Sequence, residues 1–276
     1  MSQHVKKLEQ NLGVSLFTRD SGRVIPTPVG DSYYHRCIEV LQAHENANRA
    51  VQTYAKGCGG EIVIGLMPTL TRCALAPVIE TYMSLHPIAI FRAVECYSAT
   101  LTLTEQVQNG LLDFAVVPAF PGAPGLKSSL FATTPELLAA GVRSAFGKGQ
   151  PIRLKSVKNI KNIKLVLPSQ ANIRRRLLET HLVSNGIQVE RVFELDVMMG
   201  ALDLVARSDW VTILPGVMMA GEAGDSNFIV SPIVDPVPSL DLVLIHRARI
   251  LLSEIAEAFL NLLRQETLRL NSRWQQ

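Results

Sequence analysis

Short apolar runs alternate with helix-length segments between residues 61 and 245, and this alternation limits the fold more than any other feature of the chain. The runs are rich in apolar and β-branched residues, which predicts buried strands: Ile62–Leu66, Ile90–Val94, Phe114–Val117, Leu137–Val142, Lys164–Leu167, Phe193–Leu195, Val211–Leu214 and Leu242–Ile245. Segments of helical length lie between several of them: Ala74–His86, Leu101–Gly110, Ile173–Asn185 and Val197–Ser208. Alternating strands and helices predict a mostly parallel sheet with helices on both faces.

The length of the chain predicts two such α/β units. A chain of 276 residues exceeds one ordinary domain, and its 47% apolar fraction can fill more than one core. One lobe is expected at about residues 61–134 with a return at 236–275, and the other at about 135–235. A ligand cleft in such a body lies between the lobes, at the carboxyl ends of the strands.

The N-terminal segment has a different pattern. Val5, Leu8 and Leu12 recur at steps of three and four, which places them on one stripe of a short helix, and Gly13 follows as a stop. The other faces carry amides and lysines. Such a helix is either an ordinary solvated surface helix or one that reads DNA, because amides pair with adenine while lysines reach guanine or phosphate.

A long helix is predicted next. Thr27 can cap it and Pro28 suits its first position. Apolar and aromatic residues then follow the seam spacing of a helix that packs along a partner: Tyr33, Cys37, Val40, His44, Ala47, Val51 and Tyr54. About 28 residues give a rod of about 40 Å, which either pairs with a second copy or lies on its own domain. The glycine-rich residues Gly57–Gly60 then predict a flexible linker at a domain boundary.

Hydroxyl residues follow the predicted strands where a cleft would open. Hydroxyls beside the free N–H groups of a helix start favour an anion, although each one singly is also an ordinary helix cap. Phe120 is a candidate apolar wall, and Met198 is either a ligand contact or core filler. The hydroxyl residues at these strand ends are Thr69, Ser98, Thr100 and Ser169. The consecutive arginines Arg174–Arg176 are interpreted mainly as a solvated helix face.

Several classes of protein are disfavoured. There is no apolar stretch of about eighteen residues and no signal-like start, so no membrane span is expected and the cytoplasm is the default. The four cysteines, Cys37, Cys58, Cys73 and Cys96, lack metal-site spacing, which predicts free thiols, with a redox switch between Cys73 and Cys96 left open. Neither a nucleophile elbow nor a phosphate-binding loop occurs, so neither catalysis nor a cofactor nor a metal is expected.

The N-terminal pattern S-Q-H-V-x-x-L-E-x-x-L-G-x-x-L-F-x-R, with T-P-x-G after it, resembles the winged helix-turn-helix of LysR-type transcriptional regulators. Further similarities are Gly110–Val116, Val205 and Ile213–Pro215, so the resemblance runs from Ser2 to about Arg249. It implies a recognition helix at Ser2–Leu12 and a wing at Asp20–Arg23. The DNA-binding residues would be Ser2, Gln3, His4, Lys6, Lys7, Arg19 and Arg23. The resemblance also implies that the loops after the strands hold the effector, so the candidate effector-binding residues are Pro68, Thr69, Leu70, Ser98, Thr100, Phe120, Ser169 and Met198.

The resemblance also predicts the domains. It implies a partial winged helix-turn-helix at 1–27, a linker helix and hinge at 28–60 that dimerises, and at 61–276 an effector-binding domain with the two-lobed α/β fold of type 2 periplasmic binding proteins. In the family two further helices precede the recognition helix, whereas this sequence starts almost at its first residue. A shortened start is therefore expected.

The expected function is that of an effector-responsive bacterial transcriptional regulator. Its partners would be promoter DNA, a small anionic metabolite between the lobes, and further copies of itself in a homodimer or homotetramer. Two alternatives stay open: a shortened sensing protein that no longer binds DNA, and a solute-binding protein of the same fold.

Overall fold

The computed structural model describes residues 3–20, 23–55, 60–96, 99–142, 144, 150–154, 163–187, 189, 191–222, 227–234 and 236–274. Ser2, Ser98 and Cys58 lie outside these ranges, and the side chains of Arg19 and Arg23 are likewise not described. The chain divides into two compact units, Met1–Ala55 and Lys56–Gln276, and each is considered by itself.

The first unit consists of a short helix, a hairpin and a long helix: α1 (Gln3–Leu12), β1 (Phe17–Asp20), β2 (Arg23–Pro26) and α2 (Pro28–Ala55). Helix α1 ends at Gly13, whose positive φ of 69° suits glycine, as the sequence indicated. The two strands pair antiparallel. Thr27 caps α2 as predicted, because the Gly30 N–H donates to its hydroxyl oxygen at 3.0 Å.

The interior of this first unit is small. No residue of α1 is buried, while Leu16 is 3% exposed. The Glu9 carboxylate accepts hydrogen bonds from the Leu16 and Phe17 N–H groups at 2.7 and 3.1 Å. Gly30 packs on the same turn, where any Cβ would lie 1.9 Å from the Leu16 carbonyl oxygen. The turn after α1 is thus held by the Glu9 side chain and packs closely against the start of α2.

The second unit is built on one nine-stranded mixed sheet with the strand order β4-β3-β5-β11-β6-β9-β7-β8, and β10 pairs with β6. Its strands are β3 (Glu61–Leu66), β4 (Ile90–Glu95), β5 (Phe114–Pro118), β6 (Leu126–Gly141), β7 (Lys164–Leu167), β8 (Arg191–Glu194), β9 (Val211–Pro215), β10 (Phe228–Pro232) and β11 (Ser239–Arg247). Its helices are α3 (Pro68–Thr71), α4 (Leu75–Leu85), α5 (Ala99–Gln108), α6 (Ile173–Ser184), α7 (Met198–Arg207), α8 (Gly216–Met219) and α9 (Glu254–Asn271).

Two lobes share this sheet through one long strand. Residues 126–135 of β6 pair with β11, and residues 136–141 pair with β9 and β10. We call lobe I the part with β3–β5, β11, α3–α5 and α9, and lobe II the part with β7–β10 and α6–α8. The chain crosses between the lobes twice, first within β6 and again after β10. The two crossings meet where the Glu136 N–H donates to the Pro238 carbonyl oxygen at 2.8 Å. The expected two-lobed α/β architecture is confirmed. The prediction of a mostly parallel sheet is wrong, because β11 pairs antiparallel with β5 and β6, and β6 pairs antiparallel with β9 and β10.

Four elements of this body differ from the sequence prediction. Strand β6 was predicted only from Leu137, and no element was predicted for α8, β10 or α9, although α9 packs on α4 and β6. The domain boundaries proposed from the sequence stay predictions. None of the helices in the described ranges is both long and apolar enough to cross a membrane.

Candidate functional site

A cavity of about 360 Å³ opens between the two lobes. Lobe I contributes Met67 after β3, the first turns of α5 and the loop after β5, and lobe II contributes the first turn of α6 with the residues before it. The lining residues are Met67, Thr100, Leu101, Thr104, Pro118, Phe120, Pro121, Gly122, Ala123, Ala171, Asn172, Ile173 and Arg176. The cavity lies at the carboxyl ends of parallel strands, where the fold class places ligands.

Two of the predicted binding residues line this cavity. Thr100 is half-buried, and its hydroxyl has no hydrogen-bond partner among the described residues. The Thr104 hydroxyl is engaged, since it donates to the Thr100 carbonyl oxygen. Phe120 forms part of the apolar wall. The free hydroxyl of Thr100 and the ring of Phe120 are therefore available to a guest molecule.

The other predicted residues lie elsewhere. Pro68, Thr69 and Leu70 form the short helix α3 and are buried, with Thr69 only 4% exposed. Ser169 is half-buried, and its N–H donates to an Asp196 carboxylate oxygen at 2.9 Å. Met198 is half-buried against the lobe II core. The structure thus does not bring these residues to the described wall of the cavity, and their role in binding stays a prediction.

The cavity also contains residues that the sequence analysis did not single out. Leu101 and Ile173 lie in the first turns of α5 and α6, and Thr104 lies near the middle of α5. Leu101 is exposed and Thr104 is buried, so polarity alone does not predict that they border a cavity. The loop Pro121–Ala123 had one sequence signal, because a proline–glycine pair directly after a buried strand marks a turn at the cleft edge. Asn172 had another, since an asparagine before an apolar-periodic segment is a typical N-cap.

Asn172 fixes the lobe II wall. It is 7% exposed and is the N-cap of α6, where its side-chain oxygen accepts from the Arg174 N–H at 3.0 Å. The Arg175 N–H donates to the Asn172 carbonyl oxygen at 3.0 Å. The first turn of α6 forms part of the cleft wall, and the positive end of the helix favours an anion there.

The three consecutive arginines of α6 differ from one another. Arg174 is 5% exposed and donates to both carboxylate oxygens of Glu136 at 2.7 Å, and to the Ile213 carbonyl oxygen. Arg175 is 4% exposed; it donates to Glu179 at 2.7 Å and to the Pro168 carbonyl oxygen at 2.9 Å. Only Arg176 is exposed. The interpretation of Arg174–Arg176 as a solvated face is therefore wrong for the first two residues.

The surroundings of two ionisable side chains on α6 shift their pKa values. The hydrogen bond from Arg175 lowers the pKa of the Glu179 carboxyl below its usual value. His181, one turn further along α6 from Leu177, has a ring Nε2 that is buried and has no partner among the described residues. Burial lowers the pKa of His181, while the nearby Glu136 carboxylate acts in the opposite direction.

Four of the seven predicted DNA-binding residues have side chains that are described, and these four are exposed to solvent. Gln3, His4, Lys6 and Lys7 are all exposed on α1. Glu9 on the same helix is turned inward and holds the following turn. Hairpin β1–β2 occupies the position of the predicted wing, with its tip outside the described residues.

The cysteines form no described site. Cys37, Cys73 and Cys96 are free thiols. The Cys73 thiol donates to the Met218 carbonyl oxygen at 3.1 Å. A redox role for Cys73 and Cys96 stays a prediction.

A helix-and-hairpin unit with an exposed polar helix, followed by a two-lobed α/β body with a cleft, defines a ligand-responsive transcriptional regulator. A family model described as "LysR substrate binding domain" matches residues 55–268, and one described as "Bacterial regulatory helix-turn-helix protein, lysR family" matches residues 1–31. The chain belongs to the LysR family of bacterial transcriptional regulators.

Individual relatives agree with this assignment. An uncharacterized HTH-type transcriptional regulator YcgK of Bacillus subtilis (strain 168) is 24% identical over 96% of this chain and 85% of its own length. Full-length CbnR in complex with its target DNA superposes with a TM-score of 0.66 at 18% identity, covering 95% of this chain and 87% of CbnR. The BenM effector-binding domain with its effector benzoate superposes with a TM-score of 0.63 at 19% identity, covering 77% of this chain and 94% of the BenM domain. The two structures show a shared fold.

Proposed function

We propose that this protein switches transcription when a small anionic metabolite binds between its lobes, while its first unit binds promoter DNA. The observation that carries the proposal is the cavity of about 360 Å³ whose walls come from both lobes. A ligand there contacts lobe I and lobe II at once. The protein would act in the cytoplasm as a homodimer or homotetramer, and it would make or break no covalent bond.

The proposed contacts are assigned by position and chemistry. The Thr100 hydroxyl and the helix starts of α5 and α6 would hold the polar end of the ligand, and Phe120 would pack on its apolar part. Ser98 lies outside the described residues and stays a candidate because of the resemblance to the family. Pro68, Thr69, Leu70, Ser169 and Met198 stay as candidates, because the resemblance to the family rather than the described cavity supports them.

The proposed mechanism uses the difference between open and closed states. A ligand that touches both lobes binds more tightly when they close on it, and only this difference in affinity can shift the conformation. The crossings of the lobes meet at Glu136 and Pro238, so closure must bend the chain there. In an oligomer, the changed lobe angle would alter the spacing of the DNA-binding units.

The effector site is tested with a matched pair of substitutions on α5. Thr100→Val removes the cavity hydroxyl, whereas Thr102→Val makes the same change at an exposed position outside the cavity. Metabolites that raise the melting temperature of the wild-type protein are titrated calorimetrically into both variants. Thr100→Val should weaken binding about 10-fold or more, because a lost hydrogen bond to a charged group costs about 1.5–3 kcal/mol. Equal affinities in both variants contradict the assignment.

The DNA-binding role is tested on two duplexes, the natural promoter and a random sequence. Gln3→Ala should weaken promoter binding while it leaves random DNA nearly unaffected, because amides read base edges. Arg23→Ala should weaken both equally and reduce the salt dependence of binding. Equal losses for Gln3→Ala on the two duplexes would remove its base-reading role.

The same measurement separates the alternatives. A shortened sensing protein would bind the metabolite but neither duplex. A solute-binding protein would also ignore DNA, but the match of residues 1–31 to the helix-turn-helix family weighs against that alternative.

A further inference from the structure

Arg176 differs from the two arginines that precede it in the way its charge is balanced. Glu136 neutralises Arg174, since the two side chains are 5% and 3% exposed and form a bidentate pair at 2.7 Å. Arg175 is paired with Glu179 at 2.7 Å and with Glu194 at 3.5 Å. No ion pair or hydrogen bond engages the Arg176 side chain within the described residues. Its positive charge is therefore available.

The carboxylate that borders the same second cavity as Arg176 already has a partner. Arg176 also borders a second cavity, of about 420 Å³, that Glu136, His181 and Ser239 help to line. The Glu136 carboxylate accepts two hydrogen bonds from Arg174, so its negative charge already balances a buried guanidinium. An arginine in this position gains most from a partner that comes from outside the chain.

The lining of the interlobe cavity indicates the chemistry of that partner. Among its described lining residues Arg176 is the sole charged side chain, and no carboxylate is present. The other polar groups are two threonines and one asparagine, while most of the wall is apolar. The guanidinium lies one turn into α6, beside a helix start whose partial charge is also positive. This wall favours an anion that carries an apolar body.

We propose that Arg176 is the residue that recognises the charged group of the effector, and that the effector is an organic carboxylate with an apolar body rather than an inorganic anion. This inference rests on the function proposed above and names its ligand class. The guanidinium presents two parallel N–H donors that match a carboxylate. Phe120, Leu101 and Ile173 would then pack on the apolar body.

The test compares an acid and its amide of the same shape, benzoate and benzamide, as probes of the full chain. Binding is measured by ligand-observed saturation-transfer NMR up to about 10 mM, a range in which small fragments reach detectable occupancy. Three variants accompany the wild type. Arg176→Gln removes the charge and Arg176→Lys keeps it. Arg249→Gln is the control, because Arg249 is also exposed, has no ion pair among the described residues and lies outside the described cavities.

The wild type should bind benzoate more tightly than benzamide. Arg176→Gln should lose about 10-fold or more in benzoate affinity, in line with a charge-assisted hydrogen bond, while its benzamide affinity stays unchanged. Arg176→Lys should be intermediate, and Arg249→Gln should behave as the wild type. Unchanged benzoate affinity in Arg176→Gln, or no preference for the acid in the wild type, overturns the inference while benzamide binding still supports the cleft. Binding of neither probe overturns both the inference and the proposed ligand site.

Discussion

Lobe I and lobe II combine strands and helices in the same way but hold their layers together by different forces. In lobe I one apolar cluster joins the sheet to α4 and α9 through residues such as Ile62, Leu66, Tyr82, Phe114 and Phe259. In lobe II the apolar residues fall into three smaller clusters. Between the sheet and α6 of lobe II lies the buried pair of Arg174 and Glu136.

The difference concerns how each lobe positions its wall of the cleft. Apolar contacts are not directional, so a large apolar core tolerates small shifts of a helix. The Arg174 side chain instead bonds Glu136 on β6 and the Ile213 carbonyl oxygen on β9. These directional bonds fix the start of α6, which carries Arg176, relative to two strands. We infer that lobe II depends on its buried charges where lobe I depends on apolar area.

The largest effect should come from breaking that ion pair. Glu136→Gln leaves the Arg174 charge buried without a carboxylate, which should lower the free energy of unfolding by about 3–5 kcal/mol. The measurement is equilibrium unfolding in urea. Glu80→Gln is the control, because Glu80 is exposed on α4 of lobe I. The double change Glu136→Leu with Arg174→Met should recover most of the loss. A small effect of Glu136→Gln would remove the contrast between the lobes.

A second prediction compares one glycine from each lobe. A Cβ on Gly141, at the end of β6 in lobe II, would lie 2.4 Å from the Val205 carbonyl oxygen. A Cβ on Gly65 in lobe I would meet only side-chain atoms, the nearest being Leu112 Cδ1 at 2.7 Å. Because a backbone atom cannot turn away, Gly141→Ala should cost about 3 kcal/mol and Gly65→Ala about 1 kcal/mol.

Gly200→Ala is the control for this pair. It lies within α7, and a Cβ there would meet nothing closer than 3.6 Å. Alanine should stabilise this helix by up to about 1 kcal/mol. Urea unfolding of all three variants ranks their free energies of unfolding. A greater loss for Gly65→Ala than for Gly141→Ala would mean that lobe I is the less adaptable lobe.

These contrasts also explain how much of the fold the sequence predicts. The apolar runs of β3, β5 and β9 are buried, apart from the half-buried Glu61 at the start of β3, and they were identified with nearly the observed bounds. The first half of β6 was missed because several of its residues are polar or exposed, so no apolar run marks it. Its strand is made by pairing with β11, more than a hundred residues later in the chain.

The residues of the candidate site also differ in whether the sequence predicts them. Thr100 and Phe120 could be predicted, because their distance from a strand end is a local property of the sequence. Arg176 could not, because three consecutive arginines look alike until their partners are known. Glu136 lies 38 residues before Arg174 and on another element. Which arginine remains for a ligand is therefore decided by tertiary contacts.

The smallest predicted effect is a pH dependence that belongs to lobe II. Burial lowers the pKa of His181 in the folded protein, so the unfolded chain binds a proton more readily than the folded one. The stabilising effect of the neutral ring is complete above the unfolded pKa of about 6.5 and is lost as the pH falls below it. Glu179, whose pKa is lowered, loses its contribution only in more acidic solution, below about pH 4.3.

His181→Gln should therefore reduce the fall in melting temperature between about pH 7.5 and 5.5, a range chosen around the ordinary histidine pKa. The comparison is made by differential scanning calorimetry of the wild type, His181→Gln and His86→Gln. His86 is the matched control in lobe I, where its ring stacks on Tyr82 at 4.6 Å between centroids. If the His181→Gln protein loses as much melting temperature as the wild type over this range, the buried ring of His181 is not what makes lobe II sensitive to acid.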